Sequence, residues 1–131
     1  MARILIVDDS SIVRRNLKTI LTRAGHEIIA EAENGMQAYN EYAKNKPDLV
    51  TMDITMPLLD GVRAVKKIIN DYPQAKIIMV SAIDQKNMVI TAIQNGAKHY
   101  ILKPFEADKV IAVVGAVLDI KSDGEQSPEQ K

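Results

Sequence analysis

The 131-residue sequence predicts an α/β fold, a doubly wound (βα)5 sandwich in which a parallel five-stranded sheet lies between two helical layers. Two observations predict it. Short runs of nearly continuous Ile, Val, Leu and Met at residues 4–7, 49–52 and 77–80 have the composition of strands buried on both faces. Segments with apolar residues at helical spacing separate the runs, and the alternation repeats five times, as a parallel sheet with crossover helices requires. A third observation indicates where the chemistry lies. Four runs end in charged or hydroxyl-bearing residues: Asp8 with Asp9, Asp53, Ser81 and, after residues 100–102, Lys103. In an open parallel sheet the carboxyl ends of the strands converge on one crevice, the usual ligand position.

The elements follow in order. After the first strand, Ile12, Val13, Leu17, Ile20, Leu21 and Ala24 make one face of a helix, with Ser10 or Ser11 as N-cap and Gly25 where a left-handed C-terminal cap is wanted. Residues 27–32 read as strand two and 35–45 as helix two, which Lys46 and Pro47 end before strand three. Helix three runs from Asp60 to Tyr72, closed by Pro73; helix four from Gln85 to Asn95, closed by Gly96; helix five from Glu106 to Ile120. Helix five is weak by propensity, because β-branched residues and Gly115 disfavour it, so packing must hold it. Its predicted apolar face is Val110, Ile111, Val113, Val114, Val117 and Leu118, while Lys109, Ala112, Gly115, Ala116 and Asp119 leave the other face nearly bare. Residues 1–120 thus form one domain, and 121–131, without an apolar anchor, are expected to be a flexible polar tail.

A chain of this length fits one core and no second folded domain. It has no cysteine, which excludes disulfides, thiol catalysis and thiolate metal sites. The apolar run near Met1 is too short for a signal peptide, and the longest one, residues 110–118, is about half a bilayer span; a cytoplasmic protein is expected. Seventeen basic and 17 acidic residues cancel without forming charged blocks, and aromatic residues make up 4% of the chain. Neither nucleic acid nor membrane is therefore expected as a partner.

Adjacent aspartates at a strand end repel one another unless a cation compensates. Carboxylate oxygens select a hard ion, and Mg²⁺ takes one or two of them together with waters and phosphate oxygens. Asp9 and Asp53 are expected as direct ligands, with Asp8 acting through water. Asp53 stands alone at the end of the middle strand, ahead of Met56 and Pro57, and is a candidate nucleophile for an aspartyl phosphate. Metal and Lys103 would neutralise the oxygens of a phosphoryl group in transfer, and Ser81 would donate to it once attached. A cis bond before Pro104 would aim the ammonium inward. Each residue also has a plainer reading. Paired aspartates are commonly a turn and cap, a lone strand-end Asp is more often structural, and Ser81 alone means little. The specific feature is the joint arrangement at four strand ends.

Four segments carry a resemblance: ILIVDDSSIVRR at residues 4–15, MDITMPLLDG at 52–61, IMVSA at 78–82 and YILKPF at 100–105. On these the chain resembles the receiver domain of bacterial two-component response regulators, specifically the single-domain, CheY-like chemotaxis regulators, over about residues 2–120. The resemblance implies a flavodoxin-like topology with strand order 2-1-3-4-5. It implies Asp53 as phosphoacceptor from a histidine kinase phosphohistidine, an acidic Mg²⁺ pocket of Asp8 and Asp9 completed by the Thr55 backbone carbonyl, and Lys103 as the family's site lysine. Ser81 and Tyr100 match its switch pair, which would repack the face of helix four, strand five and helix five for a downstream target. Thr55 and Ile83 depart from what chemotaxis regulators often carry. Ile83 offers no polar group to orient hydrolytic water, so a longer-lived phosphoryl group is expected.

Other readings compete. The receiver could be a fragment of a larger DNA-binding regulator, with the polar tail as truncated linker. A haloacid-dehalogenase-like phosphatase also uses a strand-end Asp but needs a second Asp two residues later, where Thr55 stands. A flavin-binding module would need a phosphate loop after strand one and aromatics to sandwich the ring. The bare face of helix five suits a second copy or a partner, although alanine also simply favours helix. Met36, Met52, Met79 and Met88 are expected in the core, and His26 and His99 on the surface.

Overall fold

The computed structural model describes residues 1–120; the expected tail at 121–131 lies outside them. Strands β1 (Arg3–Val7), β2 (Glu27–Ala32), β3 (Leu49–Asp53), β4 (Ile77–Ser81) and β5 (His99–Leu102) alternate with helices α1 (Ser11–Arg23), α2 (Gly35–Asn45), α3 (Gly61–Asp71), α4 (Lys86–Gln94) and α5 (Ala107–Leu118). Every strand pair is parallel and the order is β2-β1-β3-β4-β5. This is the doubly wound, flavodoxin-like topology expected.

The pleat sorts each buried strand between two cores, because successive side chains point to opposite faces. Leu5, Val7, Val50, Met52, Ile77 and Met79 pack against Ala38 of α2, Ala64, Val65 and Ile68 of α3, and Val89 and Ala92 of α4. Ile4, Ile6, Leu49, Ile78 and Ile101 pack against Leu17 and Leu21 of α1 and Val110, Val113, Val114 and Val117 of α5. Each such Val, Leu, Ile or Met side chain, fully buried, stabilises the fold by about 1.5–3 kcal/mol before entropy is counted. Among the described residues no helix is long and apolar enough to cross a membrane.

Local chemistry sets the helix ends. Of the two candidate serines, Ser10 caps α1, its Oγ accepting the Val13 N–H at 3.3 Å, and Gly25 follows the helix at φ 95°. Asn34 and Asp60 cap α2 and α3 in the same way, each at 2.9 Å. Helix four starts later than expected. Residues 83–85 form a 3₁₀ turn instead, because the Gln85 side chain folds back to accept the Ala82 N–H at 2.7 Å. Three apolar placements also differ. Ile111 is 40% exposed, because the buried seam of α5 runs through Val110, Val113, Val114 and Val117 and leaves it on the flank. Met36 and Met88 are exposed as well, since Gly35 and Ala38, and Val89 and Ala92, take the inward positions of their helices, whereas Met52 and Met79 are core as expected. His26 is partly buried, and its Nδ1 accepts the Ala2 N–H at 3.1 Å, tying the start of β1 to that of β2.

The start of α3 presses directly on β3. Gly61 donates its N–H to the Ile54 carbonyl at 2.7 Å, and a Cβ at this position would lie 1.9 Å from the Asp53 carbonyl oxygen. Gly61→Ala is expected to destabilise the fold by about 2–3 kcal/mol, since backbone must yield to admit the methyl group. Urea unfolding measures this, and a loss below about 0.5 kcal/mol, the range of neutral surface changes, would show that the loop gives way freely.

Candidate functional site

Parallel register brings the predicted residues together. Val7 lies opposite Met52, Asp53 opposite Val80, and Ser81 opposite Leu102, so Asp8 and Lys103 project just past the strand ends beside Asp53 and Ser81. Backbone bonds extend the ladder: Asp8 N–H donates to the Ala32 carbonyl at 3.0 Å, and Lys103 N–H to the Ser81 carbonyl at 2.7 Å. One oxygen from each of Asp8, Asp9 and Asp53 lies within 4.8 Å of the others. Lys103 Nζ sits 3.1 Å from Asp8 Oδ2 and 3.1 Å from Asp53 Oδ1. The Lys103–Pro104 bond is cis.

The aspartates differ in their surroundings. Asp8 is buried, and its Oδ1 accepts the Ser10 N–H at 2.9 Å. Asp8 Oδ2, close to the lysine, accepts no aligned hydrogen bond among the described residues. Asp53 is buried too, with Oδ1 accepting the Ile54 N–H at 2.9 Å and the Lys103 ammonium. Asp9 is exposed. Three carboxylates against one ammonium leave negative charge in excess, and the donor set is all hard oxygen. With a buried oxygen lacking a hydrogen bond among them, these residues fit a hard divalent cation such as Mg²⁺.

The second group lies at the edge of this crevice. Ser81 is wholly buried, and its Oγ has no hydrogen-bond partner among the described residues. Tyr100 is 42% exposed, beside a 420 Å³ cavity between α4 and β5 lined by Ser81, Val89, Ile90 and Leu102 among others. Two further residues were not singled out by the sequence. Gln85 Nε2 donates to Thr55 Oγ1 at 2.8 Å while its Oε1 holds the Ala82 N–H, so it joins the loops after β3 and β4. An amide three residues after Ala82 is the capping-box spacing, which offered the signal. Arg14 Nη1 donates to the Asp8 carbonyl at 2.6 Å. Its signal was a cation in the first turn of a helix, where the dipole disfavours one.

Burial, reinforced by the negative charge of Asp8, raises the Asp53 pKa from 3.8 to about 6 against the opposing pull of Lys103 and the Ile54 N–H. Burial works to lower the Lys103 pKa, but the two carboxylates outweigh it and raise the value. Between 3.8 and about 6 the folded protein retains an Asp53 proton that the unfolded chain has released, so stability falls as pH rises through that window and levels off above it. In metal-free buffer Asp53→Asn is expected to stabilise the protein by about 1–3 kcal/mol at pH 7, and much less at about pH 3, below both the unfolded and the folded pKa, where the wild-type carboxyl is largely protonated in both states. Urea unfolding at the two pH values measures this; an equal gain at both would refute the raised pKa.

Comparison with known proteins agrees with this geometry. Residues 4–115 match the response regulator receiver domain. The chain is 54% identical to chemotaxis protein CheY of Bacillus subtilis over 117 residues, 89% of this chain and 98% of that protein. It is 50% identical to CheY of Thermotoga maritima over 115 residues, 88% of this chain and 96% of that one. Among solved structures it is similar to a CheX-CheY-BeF3-Mg complex from Borrelia burgdorferi, with TM-score 0.86 and 36% identity, covering 91% of this chain and 90% of that chain. Sheet order, strand-end residues and sequence identity together show that the chain belongs to the response regulator receiver family, as a CheY-like receiver domain.

Proposed function

We propose that this protein is a phosphorylation-controlled switch of the chemotaxis type. Asp53 accepts a phosphoryl group from the phosphohistidine of a histidine kinase in the presence of Mg²⁺, and the face formed by α4, β5 and α5 then binds a downstream protein. The observation that carries this reading is the Lys103 ammonium held 3.1 Å from both Asp8 and Asp53, inside a three-carboxylate cluster. A capping role for the aspartates accounts for none of that convergence.

In the transfer the P–N bond to histidine breaks as an Asp53 oxygen bonds to phosphorus. Asp53 Oδ1 is already engaged by Ile54 and Lys103, which leaves Oδ2 as the attacking atom. Bound Mg²⁺ would offset charge on the phosphoryl oxygens, held by Asp8, Asp9, Asp53 and the Thr55 carbonyl, which accepts no hydrogen bond among the described residues. Lys103 pairs with the new dianion, and the unpartnered Ser81 hydroxyl donates to it. The shift of Ser81 vacates space toward the adjoining cavity, and the Tyr100 ring turns inward to fill it.

The domain therefore catalyses only its own phosphorylation and dephosphorylation, in the cytoplasm. A free-standing regulator is favoured over a piece of a DNA-binding one by the 98% and 96% of the two CheY relatives that the match covers. The bare outer face of α5, where nothing lies within 4 Å of a Cβ built on Gly115, would also let a second copy approach closely.

Incubation with a small phosphodonor and Mg²⁺ is expected to give one acid-stable, base-labile adduct per chain on Asp53, absent in Asp53→Asn and without Mg²⁺. Continuous turnover of a phosphate ester would instead revive the phosphatase reading. Ile83 is 80% exposed and the Thr55 hydroxyl is engaged by Gln85, so hydrolytic water finds little to orient it. Ile83→Glu should shorten the adduct's lifetime about a hundredfold, the low end for a positioned general base; an unchanged lifetime would show that residue 83 does not control water.

A further inference from the structure

Asp9, the exposed member of the acidic cluster, accepts no hydrogen bond among the described residues. Its direction is set by the backbone of the turn that follows β1. That turn is held at Asp8 by the N–H donated to Ala32 at 3.0 Å, by the Ser10 N–H on the side chain at 2.9 Å, and by one bond to the Asp8 carbonyl. Arg14 supplies this last bond at 2.6 Å through Nη1. The same guanidinium donates through Nε to Glu31 Oε1 at 2.9 Å. The Arg14 side chain is 13% exposed and lies across the end of β1, from α1 to β2.

We infer that Arg14 is a positioning residue for the cation site: it locks the Asp8 carbonyl so that the Asp8 and Asp9 carboxylates converge with Asp53. The inference rests on the reading of that cluster as a Mg²⁺ site. Two features argue for geometry over charge. A guanidinium near an acidic pocket opposes cation binding by Coulomb repulsion, so its presence there calls for another function. Its two bonds leave from different edges of a rigid planar guanidinium, Nη1 on a carbonyl and Nε on a carboxylate, and a lysine ammonium cannot span both in the same directions. Lys18 reaches Glu31 only at 3.9 Å and makes no contact with Asp8, so it supplies an internal control.

The two explanations predict opposite signs. If Arg14 acted only through its charge, Arg14→Gln would tighten Mg²⁺ binding and Arg14→Lys would leave it unchanged. As a positioning residue, its loss should weaken binding in both variants by about tenfold, the low end of the penalty for removing a partner that orients metal ligands. Calorimetric titration of Mg²⁺ into the unphosphorylated protein reads this directly, without any phosphoryl transfer. Lys18→Gln should bind like wild type, and Glu31→Gln, which loosens the far edge of the guanidinium, should weaken binding by a smaller factor. Should Arg14→Gln fail to fold, the Arg14→Lys and Glu31→Gln titrations decide alone. Unchanged or tighter binding in the Arg14 variants overturns the inference while leaving the metal site intact. Absence of Mg²⁺ binding by the wild type overturns the metal site and the inference with it.

Discussion

The ammonium of Lys103 stands where two buried carboxylates would otherwise face each other. Breaking a buried ion pair by removing one partner costs about 3–5 kcal/mol, because the remaining charge is left uncompensated. Here the single lysine serves Asp8 and Asp53 at equal 3.1 Å distances, and Asp9 remains beyond its reach as a partner. The crevice is consequently under-neutralised in the absence of a cation, and the charge of Asp8 adds to burial in raising the Asp53 pKa. A site of this kind favours any ligand that brings positive charge.

Lys103 holds this position through the sheet. Its N–H extends the β4–β5 ladder to the Ser81 carbonyl, so the residue that neutralises the site and the residue whose hydroxyl has no partner among the described residues are joined by a backbone bond. Tyr100 and Leu102 alternate with the buried Ile101 along β5 and share the opposite, half-exposed side. In the proposed switch, charge arriving at Asp53 is felt first by Lys103, just past the end of β5, and by Ser81 at the end of β4, which lines the cavity beside Tyr100. The path from site to surface is two strands wide, and it needs no long chain of intermediate contacts.

The sequence made the strand-end residues legible because topology constrains them strongly. Once five parallel strands are inferred, Asp8, Asp53, Ser81 and Lys103 have nowhere to go but one edge of the sheet. The misplaced residues lie where a one-dimensional pattern is ambiguous. Ile111, Met36 and Met88 are apolar residues next to a buried seam, and a helix of period 3.6 leaves such positions on the boundary between faces. Gln85 and Arg14 escaped for a different reason: their hydrogen bonds cross between loops or strands far apart in the chain, to Thr55 and to Glu31, and local spacing does not encode them.

Those two cross-links change the picture of the site from a set of strand ends to a frame with braced corners. Arg14 braces the loop after β1, where the acidic pair lies, and Gln85 braces the loops after β3 and β4, between which a phosphoryl group would enter. The braces differ in kind. The bond from Arg14 ends on a backbone carbonyl and involves a permanently charged group, so it is charge-assisted and about twice as strong as a neutral bond. Gln85 uses neutral bonds in a partly exposed 3₁₀ turn, a poorer hydrogen-bonding geometry than α-helix, and such turns yield at lower cost. Rigidity is therefore concentrated where carboxylates must hold a fixed geometry. Compliance is concentrated in the loop after Ser81, which must rearrange if the switch is to work.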